Sequence, residues 1–340
     1  MPAMQAQSDA ELLSVIVPAY NEEEVLHEFH QRLTSVLNKS EMRSEIVYVN
    51  DGSSDRTLRI VREFQEKQAG ITIVDLSRNF GKEAAMTAGF DVAMGDAVVV
   101  IDADLQDPPE LILEMIKKWR EGYDMVYAQR SIRDGESRLK KSTSYLFYRL
   151  IQRVSRVQIP KDTGDFRLMS RRAVDALNSL REQHRFMKGL FAWIGFPQTA
   201  IPYRRDARFA GESKFNYWKL WNFALEGFTS FTIAPLKVAS YLGIFVAMCA
   251  FLYGLFVIYK TAVFGESVTG YPSMMVVITF LGGAQLAFIG VLGEYMGRMF
   301  NETKRRPLYF LNAYEPAYPS KRIDSPSSRH RAHELTPEIE

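Results

Sequence analysis

Two long uncharged apolar runs near the C-terminus constrain this chain of 340 residues more than any other feature. No charged residue occurs in 238–259 or in 274–293, and Gln285 is the one strongly polar side chain of the second run. At a helical rise of 1.5 Å per residue the runs are about 33 and 30 Å long, which matches the hydrocarbon core of a bilayer. The sequence therefore predicts two transmembrane helices, at about 238–259 and 274–296.

Charges and small residues around these runs indicate how the helices are arranged. Basic residues flank the pair on both outer sides, whereas the connection at 260–273 carries one Lys and one Glu, so both termini are predicted to be cytoplasmic. The GxxxG spacing of Gly293 and Gly297 fits a tight hairpin or a homo-oligomer, and the sequence does not choose between them. Aromatic and basic residues at 144–157 and 217–231 predict interfacial amphipathic helices, with packing on the soluble domain as the alternative.

Overall composition limits the remaining functions. The 42 basic and 40 acidic residues nearly balance, so net charge suggests no nucleic-acid partner. A single cysteine, Cys249, excludes an internal disulfide and a cysteine-based metal cluster. The polar N-terminus does not resemble a signal peptide, so the first domain, at 1–232, is expected to stay in the cytoplasm. After a membrane domain at 233–300, residues 301–340 are predicted to be a cytoplasmic, largely disordered tail.

Short apolar runs alternate with helical patterns in the first hundred residues. Buried parallel strands are predicted at 14–19, 46–50, 71–76 and 97–101. Helices are predicted between them at 22–38, after a possible Asn21 cap, and at 57–68 and 82–94. This alternation predicts an α/β fold with a Rossmann-like open sheet.

Acidic residues follow the carboxyl ends of these strands, where ligands bind in such sheets. They include Glu22 after the first strand, Asp51 after the second, and Asp102 and Asp104 after the fourth. The first strand is not followed by GxGxxG, and no Walker sequence is present, which argues against a dinucleotide or P-loop site. Carboxylates can hold an anionic substrate through a divalent cation, so Asp102 and Asp104 are predicted to bind Mg²⁺ or Mn²⁺.

With these motifs the chain resembles the family 2 glycosyltransferases of the GT-A fold, over nearly its whole length. The motifs that carry the resemblance lie at 15–22, 49–55, 78–82 and 102–109. Further similarity to the polyprenyl-phosphate subgroup, and particularly to bacterial bactoprenol glucosyltransferases, lies at 164–171, 186–189, 211–215, 218–227 and 293–298. The resemblance implies a multi-pass enzyme of the bacterial inner membrane that transfers a sugar, expected to be glucose, from a UDP-sugar to undecaprenyl phosphate for cell-envelope or lipopolysaccharide modification.

The resemblance also implies a role for each site residue. The nucleoside would be held by Pro18, Tyr20, Glu22 and Asp51, and the metal by Asp102, Asp104 and Gln106. The donor diphosphate would be held by Arg208, Ser213 and Lys214, and the acceptor phosphate by Arg130, Lys140, Ser144 and Arg167. The catalytic residues would be Asp104 and Asp165, with Asp165 preferred over Asp162 for the acceptor.

The implied chemistry is an inverting transfer onto a phosphate. A phosphate monoester has a second pKa of about 6, so it is largely ionised at neutral pH and a strong general base is dispensable. Asp165 would then orient the nucleophile more than remove a proton. Direct displacement at the anomeric carbon would give a β-linked product from an α-linked donor.

Three other functions remain open from sequence. A dolichol-phosphate-mannose-synthase-like enzyme would use another nucleotide sugar. A processive polysaccharide synthase would carry a Gln-x-x-Arg-Trp motif, which the Gln183 to Phe186 segment does not match. A non-catalytic membrane scaffold would tolerate loss of the acidic residues, and this chain retains them.

Overall fold

The computed structural model describes residues 11–130, 163–203, 234–264 and 270–317. Its sheet begins with the parallel strands β1 (Leu12–Ala19), β2 (Arg43–Asn50), β3 (Ile71–Leu76) and β4 (Ala97–Val100). β1 lies between β2 and β4, and β3 pairs with the outer side of β2. All four predicted parallel strands are therefore confirmed. Their apolar runs are continuous because helices cover both faces of this part of the sheet.

The helices between these strands are α1 (Leu26–Leu37), α2 (Thr57–Lys67) and α3 (Lys82–Val92), which confirms all three predicted helices. α1 begins later than predicted, and Asn21 does not cap it. Asn21 instead has a φ of 54°, and its side-chain oxygen accepts a hydrogen bond from the Ser54 backbone N at 2.9 Å. It therefore ties the turn after β1 to the turn after β2.

A second half of the sheet was not recognised from sequence. α4 (Leu111–Arg120) leads into β5 (Met125–Arg130), and β6 (Thr163–Ser170) is antiparallel to both β4 and β5. β7 (Gln198–Tyr203) pairs parallel with the other side of β5. The sheet is therefore mixed, with polar and charged residues interrupting β6, so this strand lacks the continuous apolar run of the first four.

Helices cover both faces of the sheet. α1, α2 and α4 pack on one face, while α3, α5 (Arg171–Asn178) and α6 (Met187–Trp193) pack on the other. Gly89 lets α3 lie unusually close to β1, since a Cβ at this position would be 2.3 Å from Cγ2 of Ile16. This close packing holds the second half of α3 against β1 and β2.

Two long helices follow the sheet domain, α7 (Ala234–Phe264) and α8 (Tyr271–Lys304). Among the described residues, one helix is long and apolar enough to cross a membrane, at Leu236–Phe264 within α7, and none of its most apolar window is buried. The run predicted at 274–296 does form a helix, within α8, but its crossing of a membrane stays a prediction. Beyond α8's own backbone and the neighbouring residues, nothing in the described part of the chain lies within 4 Å of where a Cβ would stand on Gly293 or Gly297. The described residues thus show no close helix contact at these glycines, and the homo-oligomer stays a prediction.

The segment after α8 returns to the sheet, which corrects the predicted tail. Residues 311–315 form β8 (Leu311–Glu315), which pairs antiparallel with β3 at the edge of the sheet. The prediction of a largely disordered tail is wrong for this strand, and 318–340 lie outside the described residues. Among the described residues the strand order is β7-β5-β6-β4-β1-β2-β3-β8. The strand was missed because it is short and half exposed, and because β3, which supplies its hydrogen bonds, is distant in sequence.

Contacts at the end of α8 also join it to the sheet domain. The Glu302 carboxylate accepts a hydrogen bond from the Gln183 backbone N at 2.7 Å, and Asn301 bonds to His184 at 3.1 Å. The Tyr309 hydroxyl donates to Asp91 at 2.7 Å. The two long helices are thus connected to the sheet through the chain that leaves α8.

Candidate active site

A cleft of about 290 Å³ opens at the carboxyl ends of β1, β2 and β4. Its walls come from the turns after these strands and from the first turn of α3. It is lined by Pro18, Tyr20, Glu22, Asp51, Asn79, Lys82, Asp102 and Asp104, together with small neighbours. The side chains that the strand ends predicted to converge therefore do share one cleft, and their roles toward a ligand stay predictions. Tyr20 is 45% exposed, which leaves its ring accessible from the cleft.

Asp51 shapes one wall of this cleft. Its carboxylate accepts hydrogen bonds from the backbone N of Phe80 at 2.7 Å and of Gly81 at 3.0 Å. Burial raises the pKa of Asp51, and the two backbone donors offset part of that increase. Next to it, Gly52 has a φ of 63° and lies so close to Arg78 that the two turns touch through their backbones. Asp51 thus holds the turn before α3 against the end of β2.

Lys82 joins Asp102 and Asp165, two aspartates with central predicted roles. Its Nζ lies 2.7 Å from the Asp102 carboxylate and 2.6 Å from Oδ2 of Asp165. Burial acts to lower the pKa of Lys82, but the two carboxylates outweigh it, so the pKa is raised above its usual value. Burial acts to raise the pKa of Asp165, and the ammonium groups of Lys82 and Lys188 outweigh it, so that pKa falls below its usual range. Lys82 and Asp165 are therefore both charged at neutral pH.

No role was predicted for Lys82 from the sequence. The residue closes the motif at 78–82 and is the first residue of α3, so a cation at the mouth of the sheet was a signal that could have been used. Its contact with Asp165 spans 83 positions along the chain, and no local pattern reports such a contact.

The turn after β4 carries the two aspartates of the proposed metal site. Leu105 has a φ of 60°, and the Gln106 backbone N donates to Oδ1 of Asp104 at 3.1 Å. The Gln106 side chain is 8% exposed, and its Oε1 has no hydrogen-bond partner among the described residues. Two carboxylates and an unpaired amide oxygen on one turn are the oxygen ligands that suit Mg²⁺ or Mn²⁺. The residues present therefore fit a divalent cation.

A larger cluster of metal-binding side chains is not found in the described part of the chain. No group of three His, Cys, Asp or Glu that could hold a metal occurs within the described ranges. A cation at this turn would consequently need Gln106 and oxygens of the substrate to complete its coordination. Such incomplete protein ligation is typical of Mg²⁺ sites that bind substrate phosphates.

Arg130 lies at the end of β5, beside the strand that carries Asp165. Its Nε lies 3.4 Å from the hydroxyl of Tyr203, and that hydroxyl donates to the buried carboxylate of Asp107. Its Nη2 lies 3.6 Å from where a Cβ on Gly164 would stand, so the guanidinium reaches β6 next to Asp165. The arginine is thus held near the catalytic candidate by residues from two other elements.

Arg167 is placed differently from the acceptor contact that was predicted. It is 4% exposed, its guanidinium lies 3.6 Å above the ring of Phe191, and it donates to the carbonyl oxygens of Gly164 at 3.0 Å and Asp165 at 3.3 Å. Burial lowers its pKa to about 10. This placement favours a role in supporting the backbone around Asp165 over contact with an acceptor phosphate.

The other predicted site residues lie outside the described ranges. They are Lys140, Ser144, Asp162, Arg208, Ser213 and Lys214. The two predicted interfacial helices, at 144–157 and 217–231, also lie outside them. Their roles stay predictions.

Comparison with known proteins identifies the family. Residues 14–177 match the family described as glycosyl transferase family 2, and residues 234–299 match the GtrB C-terminal hairpin. An uncharacterized glycosyltransferase of Synechocystis is 52% identical over 88% of this chain and 94% of its own length. A bactoprenol glucosyl transferase of Shigella phage SfX is 48% identical over 88% of this chain and 99% of its own.

Similarity to solved structures is more distant. Glucosyl-3-phosphoglycerate synthase from Mycobacterium tuberculosis is 19% identical, with a TM-score of 0.42 over 63% of this chain and 76% of that one. The full-length relatives carry the assignment instead, because they align with both the sheet domain and the long helices. The chain therefore belongs to glycosyl transferase family 2, with a GT-A-like mixed sheet followed by the GtrB C-terminal hairpin.

Proposed function

We propose that this protein transfers a glucosyl residue from UDP-glucose to undecaprenyl phosphate at the cytoplasmic face of the bacterial inner membrane. The observation that carries the proposal is the cluster in which Lys82 contacts both Asp102 and Asp165. Through Lys82, the turn that would hold the metal is linked to Asp165, the residue that would face the acceptor. Relatives named bactoprenol glucosyl transferase support the acceptor and the sugar, since they match both parts of the chain.

On the donor side, the accessible ring of Tyr20 is available to stack on the base. Pro18, Glu22 and Asp51 line the same cleft and would also contact the nucleoside. Asp102, Asp104 and Gln106 would hold Mg²⁺ or Mn²⁺, which when bound supplies positive charge to the departing diphosphate. Arg208, Ser213 and Lys214 would add further contacts to that diphosphate.

On the acceptor side, Asp165 and Arg130 would face the lipid phosphate, with Lys140 and Ser144 as further contacts. Arg130 supplies a fork of donors that matches phosphate oxygens. Asp165 stays ionised at neutral pH, and a carboxylate repels an ionised phosphate, so it would orient the acceptor by holding the cationic side chains around it. An oxygen of the acceptor phosphate forms a bond to the anomeric carbon while the bond from that carbon to UDP breaks, and UDP leaves with the electron pair. The product is inverted.

The membrane helices would bring the cleft to the acceptor. α7 carries large apolar side chains exposed along its length, and a lipid bilayer is the environment that suits such a surface. α8 would cross back, both termini would be cytoplasmic, and β8 would return the chain to the sheet. The cleft would thus stand beside the membrane interface, where a water-soluble donor can meet a lipid acceptor.

The proposal is tested with the purified full-length protein, radiolabelled UDP-glucose, undecaprenyl phosphate and Mn²⁺. Label is expected in the organic phase after extraction, and EDTA is expected to abolish it. Asp104→Asn should lose the activity, whereas Lys118→Met, on the exposed surface of α4, should retain it. NMR of the product should show a β-linked sugar. Label that stays in the aqueous phase, with every metal and nucleotide sugar in a donor panel, would refute the proposal.

The same assay separates the alternatives. Transfer from a guanosine-linked sugar in preference to UDP-glucose would favour a dolichol-phosphate-mannose-synthase-like enzyme. A long polymer would favour a processive synthase. Loss of all transfer with an intact fold and tight lipid binding would favour a scaffold.

A further inference from the structure

The contact of Lys82 with both Asp102 and Asp165 places one ammonium where two ligands are expected to bind. Its distances of 2.7 and 2.6 Å are those of charge-assisted hydrogen bonds. Asp102 belongs to the turn that fits a divalent cation, and Asp165 belongs to the strand that would face the acceptor. The ammonium of Lys82 therefore pairs with both carboxylates at once.

Electrostatics favour this arrangement while the cleft holds no other cation. Asp102 and Asp165 are both drawn to the same ammonium, so without it two carboxylates would repel each other at close range. A lysine carries a compact charge on a flexible stem, which suits a group that changes partners. The Lys82 side chain is 37% exposed and lines the cleft, so it has space into which it can turn.

A divalent cation on Asp102 would change the balance of these contacts. It would repel the ammonium, and the diphosphate that arrives with it would offer Lys82 new anionic oxygens on the opposite side of the cleft. Movement of the lysine toward the diphosphate would release Asp165. Asp102 and Asp104 would then bind the cation without a competing positive charge on the same carboxylate.

We propose that Lys82 is a positioning residue that neutralises Asp102 and Asp165 together until the metal-bound nucleoside diphosphate draws it away, so that Asp165 meets the acceptor only after the donor has bound. This inference rests on the proposed function and deepens it by setting the order of binding. It also assigns to Lys82 two opposite effects, because the lysine competes with the metal alone but supports the metal-bound nucleotide.

The test measures binding without turnover. Mn²⁺ affinity of the full-length protein in lipid nanodiscs is determined by electron paramagnetic resonance of free Mn²⁺, first without nucleotide and then with UDP. Lys82→Met should bind Mn²⁺ alone about ten-fold more tightly than the wild type, a change of about 1.4 kcal/mol. The same variant should bind UDP in the presence of Mn²⁺ at least ten-fold more weakly. A purely structural loss would weaken both affinities.

Matched variants separate charge from packing. Lys82→Arg keeps the charge and should leave Mn²⁺ affinity within about three-fold of the wild type, and Lys118→Met should change neither affinity. Lys82→Gln repeats the removal of charge with a polar side chain, and circular dichroism with thermal melting reports the fold of each variant. The proposal is overturned if the neutral variants bind Mn²⁺ no more tightly, if Lys82→Arg behaves as they do, or if both neutral variants fail to fold. Absence of labelled lipid with this binding pattern intact would count against the proposed function alone.

Discussion

Replacing Gly52 by alanine tests whether the close approach of two turns builds the nucleotide end of the cleft. A Cβ at this position would lie 2.3 Å from the carbonyl carbon of Arg78 and 2.5 Å from the backbone N of Asn79. Carbon atoms in ordinary contact are about 3.5–4.0 Å apart, so the turn must move by more than 1 Å. Such forced backbone shifts cost about 1–3 kcal/mol. The positive φ of 63° adds about 1–3 kcal/mol of strain for any residue with a side chain.

Gly122 provides a matched control for the strain. It has a φ of 101°, and no atom lies within 4 Å of where its Cβ would stand. In Gly122→Ala the free energy of unfolding should therefore fall only by the backbone strain. Gly52→Ala adds the steric clash and should be less stable than Gly122→Ala by about 1–3 kcal/mol. For a domain of this size that gap corresponds to a Tm difference of roughly 2–12 °C.

The displacement should also weaken donor binding. The backbone N–H groups of Phe80 and Gly81 donate to Asp51 at 2.7 and 3.0 Å. A movement of more than 1 Å would stretch both distances beyond the range of a hydrogen bond. The Kd for UDP, measured by titration calorimetry with Mn²⁺ present, should rise at least ten-fold in Gly52→Ala and stay near wild type in Gly122→Ala. Equal Tm values and equal UDP affinities for the two variants would refute the reasoning.

Three further predictions follow from the cluster and the core. The double variant Asp102→Asn with Asp104→Asn should lower kcat for lipid glycosylation at least 10²-fold with little change in Tm, because the leaving diphosphate loses its stabilising charge, and unaltered kcat would contradict this. Asp165→Asn should lower kcat while UDP still binds with Mn²⁺ in calorimetry, since Asp165 serves the acceptor, and a loss confined to UDP binding would oppose that assignment. Asp124 is buried, and hydrogen bonding to Arg172 holds its pKa below the usual value. Its contribution to the free energy of unfolding is therefore complete above a pH of about 4, near the pKa of an unfolded-state aspartate. That contribution is lost as the pH falls through the lower pKa of the folded state. Asp124→Asn should therefore lower the free energy of unfolding by about 2 kcal/mol at pH 7 and by much less at pH 3 in denaturant titrations, whereas an equal loss at both pH values would exclude the ion pair as its source.

Local patterns were sufficient for the parallel strands, the first three helices and the acidic turn after β4. Each of these elements is encoded within a few consecutive residues, as an apolar run, a helical repeat or a pair of acids at a strand end. The uncharged run within α7 belongs to the same class, because hydrophobicity over about twenty residues needs no partner to be recognised. The order of these elements, and the edge of the sheet where a ligand would bind, can therefore be predicted from short stretches of sequence.

Tertiary structure alone decided which side chains meet. Lys82 contacts Asp165 across 83 positions, and Asn312 donates to Asp75 across 237. Arg167 lies two residues after Asp165 on the same face of β6, yet its guanidinium packs over the ring of Phe191, a residue of α6 that is 24 positions further along the chain. Contacts of this kind depend on the pairing of distant strands and on the packing of helices over them, and a one-dimensional pattern carries neither. The physical reason is that charge pairing and burial are set by three-dimensional neighbours, whereas strand and helix propensity are set by neighbours along the chain.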